Sequence, residues 1–598
     1  MYSFYQKHEY FFAALFVLIT QSLSLPYWMD YYPDTDNYTH ALRILDFLQS
    51  SVWAEMPYMH TNYPYGEILH FTRITDVLWL FSSLPLFLFL SVKEAVFYGG
   101  FVFQALMLVL TAFVLIWSLK PIAKPFARLI GLSIFFVQPS ITETYIYSKP
   151  DHHVLTVLFG CLLIGGVIRY LAEKRSKDLY IAGISAGLGL WTSVEGLLIA
   201  YGVLIGLVLL CFAGKEKIKT CAVYFFSFFI SSFIFLVINP PYEGFFFPDN
   251  GRLSFLLVTV IGLTTVALLF LFQAEERGLL SNFWRKSIAF LLTASFFIGI
   301  LFLIFPLSVV FQPFFPPIIK EIWADNVIEL QSCFRSVTLF FLSCWPCFVS
   351  FLVGCVLFKF CSSQQRAYLI LTLPPLLIFI LFTILSIRYA RLATLFTPFP
   401  LVLFFAVRLE RISFSERKKG IILLLLYLGA AYFLAENYLS VHRVLLHRNT
   451  PFLDPIKAYI PKGEGSILAD TFLGPEIVWM LDEPVIGSPY HRNVEGIADG
   501  VGILHTTNVP DAIEALKKHR VKAILLFLDL PSDPEIFYNL PLRAGYMYIP
   551  SDLDNLMVRM VMEKDLPCGM KVETNVPPPL VLYTIDFSKC SETADQKK

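Results

Sequence analysis

Residues 196–239 read GLLIAYGVLIGLVLLCFAGKEKIKTCAVYFFSFFISSFIFLVIN, which is two apolar runs separated by a short basic loop. Each run has about 20 residues, the length that an α-helix needs to cross a bilayer. The loop carries Lys215, Lys217 and Lys219, and an excess of lysine and arginine marks the cytoplasmic loops of membrane proteins. The stretch therefore predicts two transmembrane helices joined by a cytoplasmic turn.

The composition of the whole chain agrees with this interpretation. Of the 598 residues, 56% are hydrophobic and 15% are charged, whereas about 25% of the residues in a soluble domain are charged. Lys plus Arg and Asp plus Glu each number 46, so the formal net charge is zero. These values exclude an intrinsically disordered chain, a collagen, a disulfide scaffold and a basic nucleic-acid binder. They indicate a polytopic membrane protein.

Apolar runs of similar length recur along the first 440 residues. We interpret the first run as a membrane anchor, because no small-residue cleavage site of a signal peptide follows it. A crossing at 77–91 would place Lys120, Lys124 and Arg128 outside, so we predict an interfacial or re-entrant helix there. About thirteen crossings are predicted: 10–25, 97–118, 125–142, 152–171, 178–192, 196–213, 219–239, 253–273, 286–311, 336–360, 367–387, 391–408 and 419–436.

The distribution of charged residues distinguishes two sets of loops and two domains. With these crossings the basic loops face the cytoplasm, and the acid-bearing loops face outside, together with the C-terminal segment. Charged residues number 55 among the first 440 and 37 among the last 158. We therefore predict a transmembrane domain over 1–438, which includes an external loop 26–76 and a lid-like loop 312–335. An external soluble domain is predicted over 439–598.

The C-terminal segment alternates strand and helix patterns, which is typical of an α/β domain. We predict strands at 467–470, 485–490 and 522–529, and helices at 474–481 and 511–520. Most cysteines lie in apolar runs, where a buried thiol serves packing. Cys568 and Cys590 are the two that could form a disulfide.

Two acidic motifs lie on the predicted external side. Asp34-Thr35-Asp36 follows the first helix, and paired carboxylates suit a divalent cation such as Mg²⁺ or Mn²⁺. Residues 150–153, PDHH, open a later helix, where Asp151 and His153 can turn toward one ion. In both motifs the alternative is that the Asp only caps the helix that follows.

Further polar residues lie on the same side. Glu195 occupies a tight turn between two apolar helices, and Glu329 lies in the loop 312–335. Arg388 and Arg391 end another helix, and arginine is a bidentate partner for phosphate oxygens; for Arg388 the alternative is snorkelling to the interface.

A polar run follows the predicted strand at 485–490 in the C-terminal domain. It consists of His491, Arg492 and Asn493, which could bind an acceptor or a sugar. The alternative is a polar loop in which Asn493 caps the next helix. The sequence leaves both interpretations open.

Four stretches are similar to motifs of the GT-C superfamily of membrane glycosyltransferases, most of all the oligosaccharyltransferase catalytic subunit. They are residues 35–41 (TDNYTHA), 150–153 (PDHH), 326–329 (NVIE) and 387–390 (IRYA). The resemblance implies that Asp36 binds a metal ion and contacts the acceptor, and that Asp151 and His153 bind the same ion. It places Glu329 on a further catalytic, metal-binding glutamate. It also implies that Arg388 holds the lipid-linked pyrophosphate.

One motif of that family is absent. The WWDYG motif, which reads the acceptor sequon, has no counterpart here, since Trp479 is the only tryptophan after residue 440 and Met480 follows it. Glycosylation of asparagine in proteins therefore does not follow from the resemblance.

The resemblance implies a GT-C-like catalytic domain over 1–438 and a glycosyltransferase that uses a polyprenyl-linked sugar donor within the lipid bilayer. Its acceptor would be a glycan, a lipid or a protein, and its membrane the plasma or inner membrane if the source is bacterial. The alternatives are a transporter or flippase of lipid-linked glycans and a non-catalytic assembly protein. The nearly charge-free helix interiors argue against an ion path through the membrane.

Overall fold

The computed structural model describes residues 8–22, 31–311, 316–322, 324, 327–335, 337–409, 453–527, 556, 560, 566, 569–576 and 580–590. Three features of the sequence predictions lie outside this part of the chain: the crossing at 419–436, Asn326 and Cys568. The pairing of Cys568 with Cys590 therefore stays a prediction.

The described part of the chain is mostly helical. In chain order the helices are α1 (Glu9–Ser22), α2 (Thr35–Ser50), α3 (Arg73–Ser83), α4 (Val92–Leu119), α5 (Pro125–Phe136), α6 (Pro139–Thr144), α7 (His153–Glu173), α8 (Ser176–Thr192), α9 (Glu195–Phe212), α10 (Ile218–Ile238), α11 (Phe255–Glu276), α12 (Phe283–Ile304), α13 (Leu307–Val310), α14 (Pro317–Ile322), α15 (Val337–Leu357), α16 (Ser363–Leu385), α17 (Ala390–Phe396), α18 (Pro398–Phe404), α19 (Leu453–Ile456), α20 (Gly474–Leu481), α21 (Val494–His505) and α22 (Val509–Lys518).

Eight helical segments among the described residues are long and apolar enough to cross a membrane. Seven are single helices, namely α4, α7, α9, α10, α11, α12 and α16, and the eighth runs from Ile387 to Val407 through α17 and α18. Shorter apolar helices lie within α1, α5 and the α15 region. The polytopic helical class is thus confirmed, and the count of about thirteen crossings stays a prediction.

Prolines account for two of the differences between the predicted and the observed ends of these helices. The predicted crossing at 125–142 is two helices, because Pro139 has no amide hydrogen to continue α5 and instead begins α6. The crossing predicted to reach residue 311 ends at Ile304, two residues before Pro306. The segment predicted as interfacial is α3 followed by a 3-10 turn at Leu84–Leu88, and it is not one of the eight.

The C-terminal domain contains a four-stranded sheet with the strand order β1-β2-β4-β3. The strands are β1 (Ser466–Leu468), β2 (Val521–Phe527), β3 (Met570–Val572) and β4 (Leu580–Ile585). β1 pairs with β2 in parallel, and the other two pairs are antiparallel. Helices α20 and α22 match the predicted 474–481 and 511–520 within two residues, so the α/β class is confirmed.

The strand predicted at 485–490 does not form. Val485 makes a single parallel bridge to Ile467. Its backbone instead bonds to the loop before α3: the amide of Val485 donates to the carbonyl of His60, and the amide of Tyr63 donates to the carbonyl of Val485. This exchange docks the C-terminal domain onto the loop predicted as external.

The loops fall at two ends of the helical bundle. Basic residues at one end contact acids of neighbouring loops, as in Lys174 with Glu216 and Lys286 with Glu275. At the other end of α10, Asp249 forms an ion pair with Arg492 of the C-terminal domain. The C-terminal domain and the acid-bearing loops therefore share one end, opposite the basic loops.

Candidate active site

The first acidic motif is fixed by the start of α2. Asp34 is its N-cap and accepts from the amide of Asp36 over 3.3 Å, so the capping interpretation holds for Asp34. Asn37, fully buried, donates from Nδ2 to the carbonyl of Pro150 over 2.6 Å. This bond ties the start of α2 to the residue immediately before Asp151, which brings the two motifs together.

Asp151 is not the side-chain cap of the helix that follows it. The N-cap of α7 is His152, and no side-chain bond caps that helix. Asp151 is buried, and its carboxylate oxygens lie 2.5 Å from Nδ1 of His152 and 3.8 Å from Nε2 of His153. Burial alone would raise the pKa of Asp151, but these two histidines and Lys149 hold it well below its ordinary value.

Negative charge accumulates around Asp36. Burial, and then repulsion from Asp34 and Asp151, raises the pKa of Asp36 to about 8. Lys149 partly offsets this charge, since its Nζ lies 2.8 Å from Asp34 and 3.2 Å from Glu143. The sequence analysis missed Lys149, and its position one residue before the PDHH motif was the available signal.

Histidine side chains lie next to these carboxylates. One ligand atom each from His40, Asp151 and His152 lie within 4.8 Å of one another, and all three residues are buried. Buried carboxylates and imidazoles converging at one point are the donor set of a divalent metal site, and a cation there would offset the charge around Asp36. Asp36, Asp151 and His153 of the predicted set thus lie at or beside this cluster, and His40 and His152 are additions to it.

The predicted phosphate-binding residues form one network. Arg388 donates from Nε to Oε1 of Glu195 over 2.6 Å, and Nη1 of Arg391 lies 3.9 Å from Oε2 of the same residue. Glu195 is 2% exposed, so Arg388 is held by a buried carboxylate and does not snorkel. A Cβ on Gly196 would lie 2.2 Å from the backbone of Gly189, and this close approach of α8 and α9 sets the tight turn at Glu195.

Glu329 lies close to the Arg388 network and is held there by its backbone. Ser386, two residues before Arg388, donates from Oγ to the carbonyl of Glu329 over 2.9 Å. Burial and then Glu143 raise the pKa of the Glu329 carboxyl, while Arg391, Lys149 and Arg388 oppose the rise. Glu329 is therefore within electrostatic range of both the arginines and the lysine beside Asp34.

The three residues of the run 491–493 make different contacts. Asn493 caps α21, because its side chain accepts from the amide of Gly496 over 3.0 Å and donates to the carbonyl of Ile486. Arg492 pairs with both carboxylate oxygens of Asp249, at 2.8 and 2.6 Å. The ring of His491 lies beside that of His70, tilted by 43°, with the ring centroids 5.1 Å apart. Burial, and then the charges of Arg492 and Arg388, lower the pKa of His491 to about 3, so its imidazole is neutral near neutral pH.

Comparisons with solved structures identify the architecture. A crystal structure of the Archaeoglobus fulgidus oligosaccharyltransferase in the apo form superposes with a TM-score of 0.68 at 16% identity, covering 88% of this chain and 70% of that one. The chain has the fold of the archaeal oligosaccharyltransferases. AglB from the same organism, in complex with an inhibitory peptide and a dolichol-phosphate, matches with a TM-score of 0.67 at 14% identity, covering 97% and 75%.

A third match contains a metal. It is the A. fulgidus oligosaccharyltransferase in complex with Zn and sulfate, with a TM-score of 0.62 at 15% identity, covering 86% of this chain and 67% of that one. No protein-family model and no curated protein sequence matches this chain. The fold that the resemblance implies, that of an oligosaccharyltransferase, is thus confirmed.

Proposed function

We propose that this chain is a membrane glycosyltransferase that moves a sugar or oligosaccharide from a polyprenyl-phosphate or polyprenyl-diphosphate donor to an acceptor. The observation that carries the proposal is the convergence of Asp36, Asp151 and its neighbouring histidines with the Arg388–Glu195 pair at one end of an oligosaccharyltransferase fold. A metal site beside an arginine that is held by a buried carboxylate suits a reaction in which a phosphate leaves.

Each residue receives a role from its contacts. Asp36, Asp151, His153 and Glu329 are assigned to hold Mg²⁺ or Mn²⁺, which when bound would supply positive charge against the leaving phosphate. Asp36 also orients the acceptor group that attacks. Arg388 grips the leaving phosphate, since within the part of the chain that the structure describes only its Nε donates to a side chain, that of Glu195, and the guanidinium has further N–H groups to offer. Arg391, bonded to Thr144 and close to Glu195, supports it.

The C-terminal domain is assigned to the acceptor. His491 lies within electrostatic range of Arg388, whereas Arg492 and Asn493 hold the polypeptide around it through Asp249 and α21. One solved neighbour, AglB of A. fulgidus, carries an inhibitory peptide and a dolichol-phosphate. Because WWDYG is absent here, the acceptor class stays open among glycan, lipid and protein.

The site is proposed to face the outer leaflet of the bilayer, with the C-terminal domain on the extracytoplasmic side. Supporting this orientation, the basic loops at 174–177 and 215–219 lie at the opposite end of the bundle. The loop 312–335 is assigned as a lid over the donor; part of it lies outside the described residues.

The test uses membranes that contain the full chain and a labelled polyprenyl-diphosphate-linked glycan fraction. We expect transfer of label to a water-soluble or second lipid acceptor, loss of transfer in Asp36→Asn and Asp151→Asn, and inhibition by EDTA. Glu243→Gln, an exposed acid at the same end of the bundle, is the matched control and keeps full activity. If both variants transfer label at the wild-type rate, the proposal is wrong.

The same assay separates the alternatives. A flippase would change which leaflet exposes the labelled lipid to a membrane-impermeant lectin without consuming it. A non-catalytic assembly protein would leave both the label and its leaflet unchanged.

A further inference from the structure

We infer that His40 is a ligand of the divalent ion and that Asp76 is the residue that positions it. The inference rests on the proposed function for the presence of a metal, and it adds two residues that none of the four motif resemblances assigned. His40 lies four residues after Asp36 on α2, one helical turn away, so both side chains project from the same face of that helix.

Asp76 fixes the imidazole. Oδ1 of Asp76 lies 2.7 Å from Nδ1 of His40, and both side chains are buried. A carboxylate can only accept, so Nδ1 carries the hydrogen and donates it, which leaves a lone pair on Nε2. The other oxygen of Asp76 lies 3.0 Å from Arg43 and 3.5 Å from Arg73, so the carboxylate is itself anchored.

The other ring nitrogen of His40 is the candidate ligand atom. Nε2 is buried, and it has no hydrogen-bond partner within the described part of the chain. A buried imidazole nitrogen without a partner is costly unless something binds it. His40, Asp151 and His152 together offer three ligand atoms within 4.8 Å. A carboxylate that orients a metal-binding histidine through its other nitrogen is a recurrent arrangement in metalloproteins.

The added imidazole has a consequence for the choice of ion. Mg²⁺ prefers oxygen ligands in octahedral geometry, whereas imidazole nitrogens suit transition ions. A set that combines Asp36 and Asp151 with His40 and His152 or His153 therefore selects Mn²⁺ or Zn²⁺ over Mg²⁺. Mn²⁺ is the practical probe because it is paramagnetic.

The experiment titrates Mn²⁺ into the purified full chain and follows bound ion by EPR, with pulsed EPR to detect ¹⁴N of coordinated imidazole. We expect His40→Gln to weaken Mn²⁺ binding about 10–100-fold and to reduce the ¹⁴N modulation, and Asp76→Asn to weaken binding about as much. Asp76→Glu, which keeps the carboxylate that Asp76→Asn loses, restores part of the affinity. His60→Gln is the matched control, because His60 is paired with Asp46 in the same loop region and lies outside the cluster. It binds Mn²⁺ like the wild type.

The outcomes separate the two claims. If His40→Gln binds Mn²⁺ with wild-type affinity and unchanged ¹⁴N modulation, the inference about His40 is wrong. If Asp151→Asn, measured in the same way, loses Mn²⁺ binding, the metal site of the proposed function still stands, without His40 as a ligand. A wild-type protein that binds no Mn²⁺ overturns the inference outright and leaves the transfer assay to decide the function. A thermal unfolding midpoint equal to wild type for His40→Gln shows that lost affinity is not lost folding.

Discussion

Asn37 donates from its side-chain Nδ2 to the backbone carbonyl of Pro150 over 2.6 Å, across 113 residues of sequence. Asn37 adjoins Asp36, and Pro150 adjoins Asp151, so this one bond sets the distance between the two acids of the proposed site. Asn37 is fully buried, so this bond is shielded from bulk water.

Removing that bond is expected to separate the acids. Asn37→Ala leaves the Pro150 carbonyl without its donor, which costs about 1–3 kcal/mol of stability. Displaced reacting groups lower the transfer rate by as much as about 10²-fold. Glycan transfer and the thermal midpoint are measured together. Asn508→Ala, an exposed asparagine at the start of α22, is the control and changes neither; equal transfer rates for the two variants would contradict the expectation.

The Arg388–Glu195 pair gives a prediction about coupling. If Glu195 acts by holding Arg388, then Arg388→Gln, Glu195→Gln and the double variant all impair use of the lipid-linked donor to a similar extent. The reason is that the effects of substitutions at two residues of one ion pair do not add. Arg388→Lys keeps the charge and recovers only part of the activity. The donor KM and kcat report the effect. Strict additivity of the two single changes would show that each residue contacts substrate independently.

A control pair exists at the basic end of the bundle. Arg169 and Glu173 form an ion pair at 2.8 Å on α7, remote from Glu195. Arg169→Gln is expected to leave donor KM unchanged.

Glu67 lies where the C-terminal domain docks, and its raised pKa is expected to make the stability of the protein depend on pH. It is 3% exposed, accepts from Thr61 over 2.5 Å and accepts from Ser488 of the C-terminal domain over 2.9 Å. Burial raises the pKa of Glu67 from 4.5 to about 7, against the opposing effects of these two hydrogen bonds and Arg492.

The sign follows from the raised pKa. Between the unfolded value and the folded value of about 7, the folded chain holds a proton on Glu67 that the unfolded chain has lost. Stability therefore falls as the pH rises through this window, by about 3 kcal/mol in total. The thermal midpoint of wild type should drop between pH 5 and pH 8 by more than that of Glu67→Gln. Parallel curves for the two proteins would show that Glu67 is not the titrating group.

Substitutions of Arg492 test whether this residue, predicted to bind substrate, instead holds the polypeptide in place through Asp249. Its pair with Asp249 is largely buried, and breaking such a pair by removing one partner costs about 3–5 kcal/mol. Arg492→Gln and Asp249→Asn should therefore destabilise the protein alike, and an apolar pair, Arg492→Met with Asp249→Leu, should recover stability. If Asp249→Asn is harmless while Arg492→Gln abolishes transfer, Arg492 binds substrate directly.

Much of the fold could be predicted from patterns within single segments. Runs such as 219–239 and 253–273 carry their own length and hydropathy, and α10 and α11 match them closely. Local caps were equally accessible, since Asp34 and Asn493 each bond to the amide two or three residues later. Prolines ended helices where the apolar runs continued, as at Pro306, because run length alone ignores the missing amide.

The candidate site could be predicted only in part. Asp36, Asp151 and Arg388 stand in motifs, but the partners that give them their properties are distant in sequence, as with Glu195, 193 residues before Arg388. His40 shares a helix with Asp36, yet its significance depends on Asp76 from α3. Such pairs depend on tertiary distances, which one sequence does not encode in any local pattern.

The most direct test of the account is mass spectrometry of glycoconjugates and polyprenyl-linked glycans from cells that lack this protein, complemented with either wild type or Asp36→Asn. The account predicts that one class of glycoconjugate disappears and its lipid-linked precursor accumulates, and that wild type but not Asp36→Asn reverses both changes. Unchanged glycoconjugates in the deletion, or full reversal by Asp36→Asn, would contradict it.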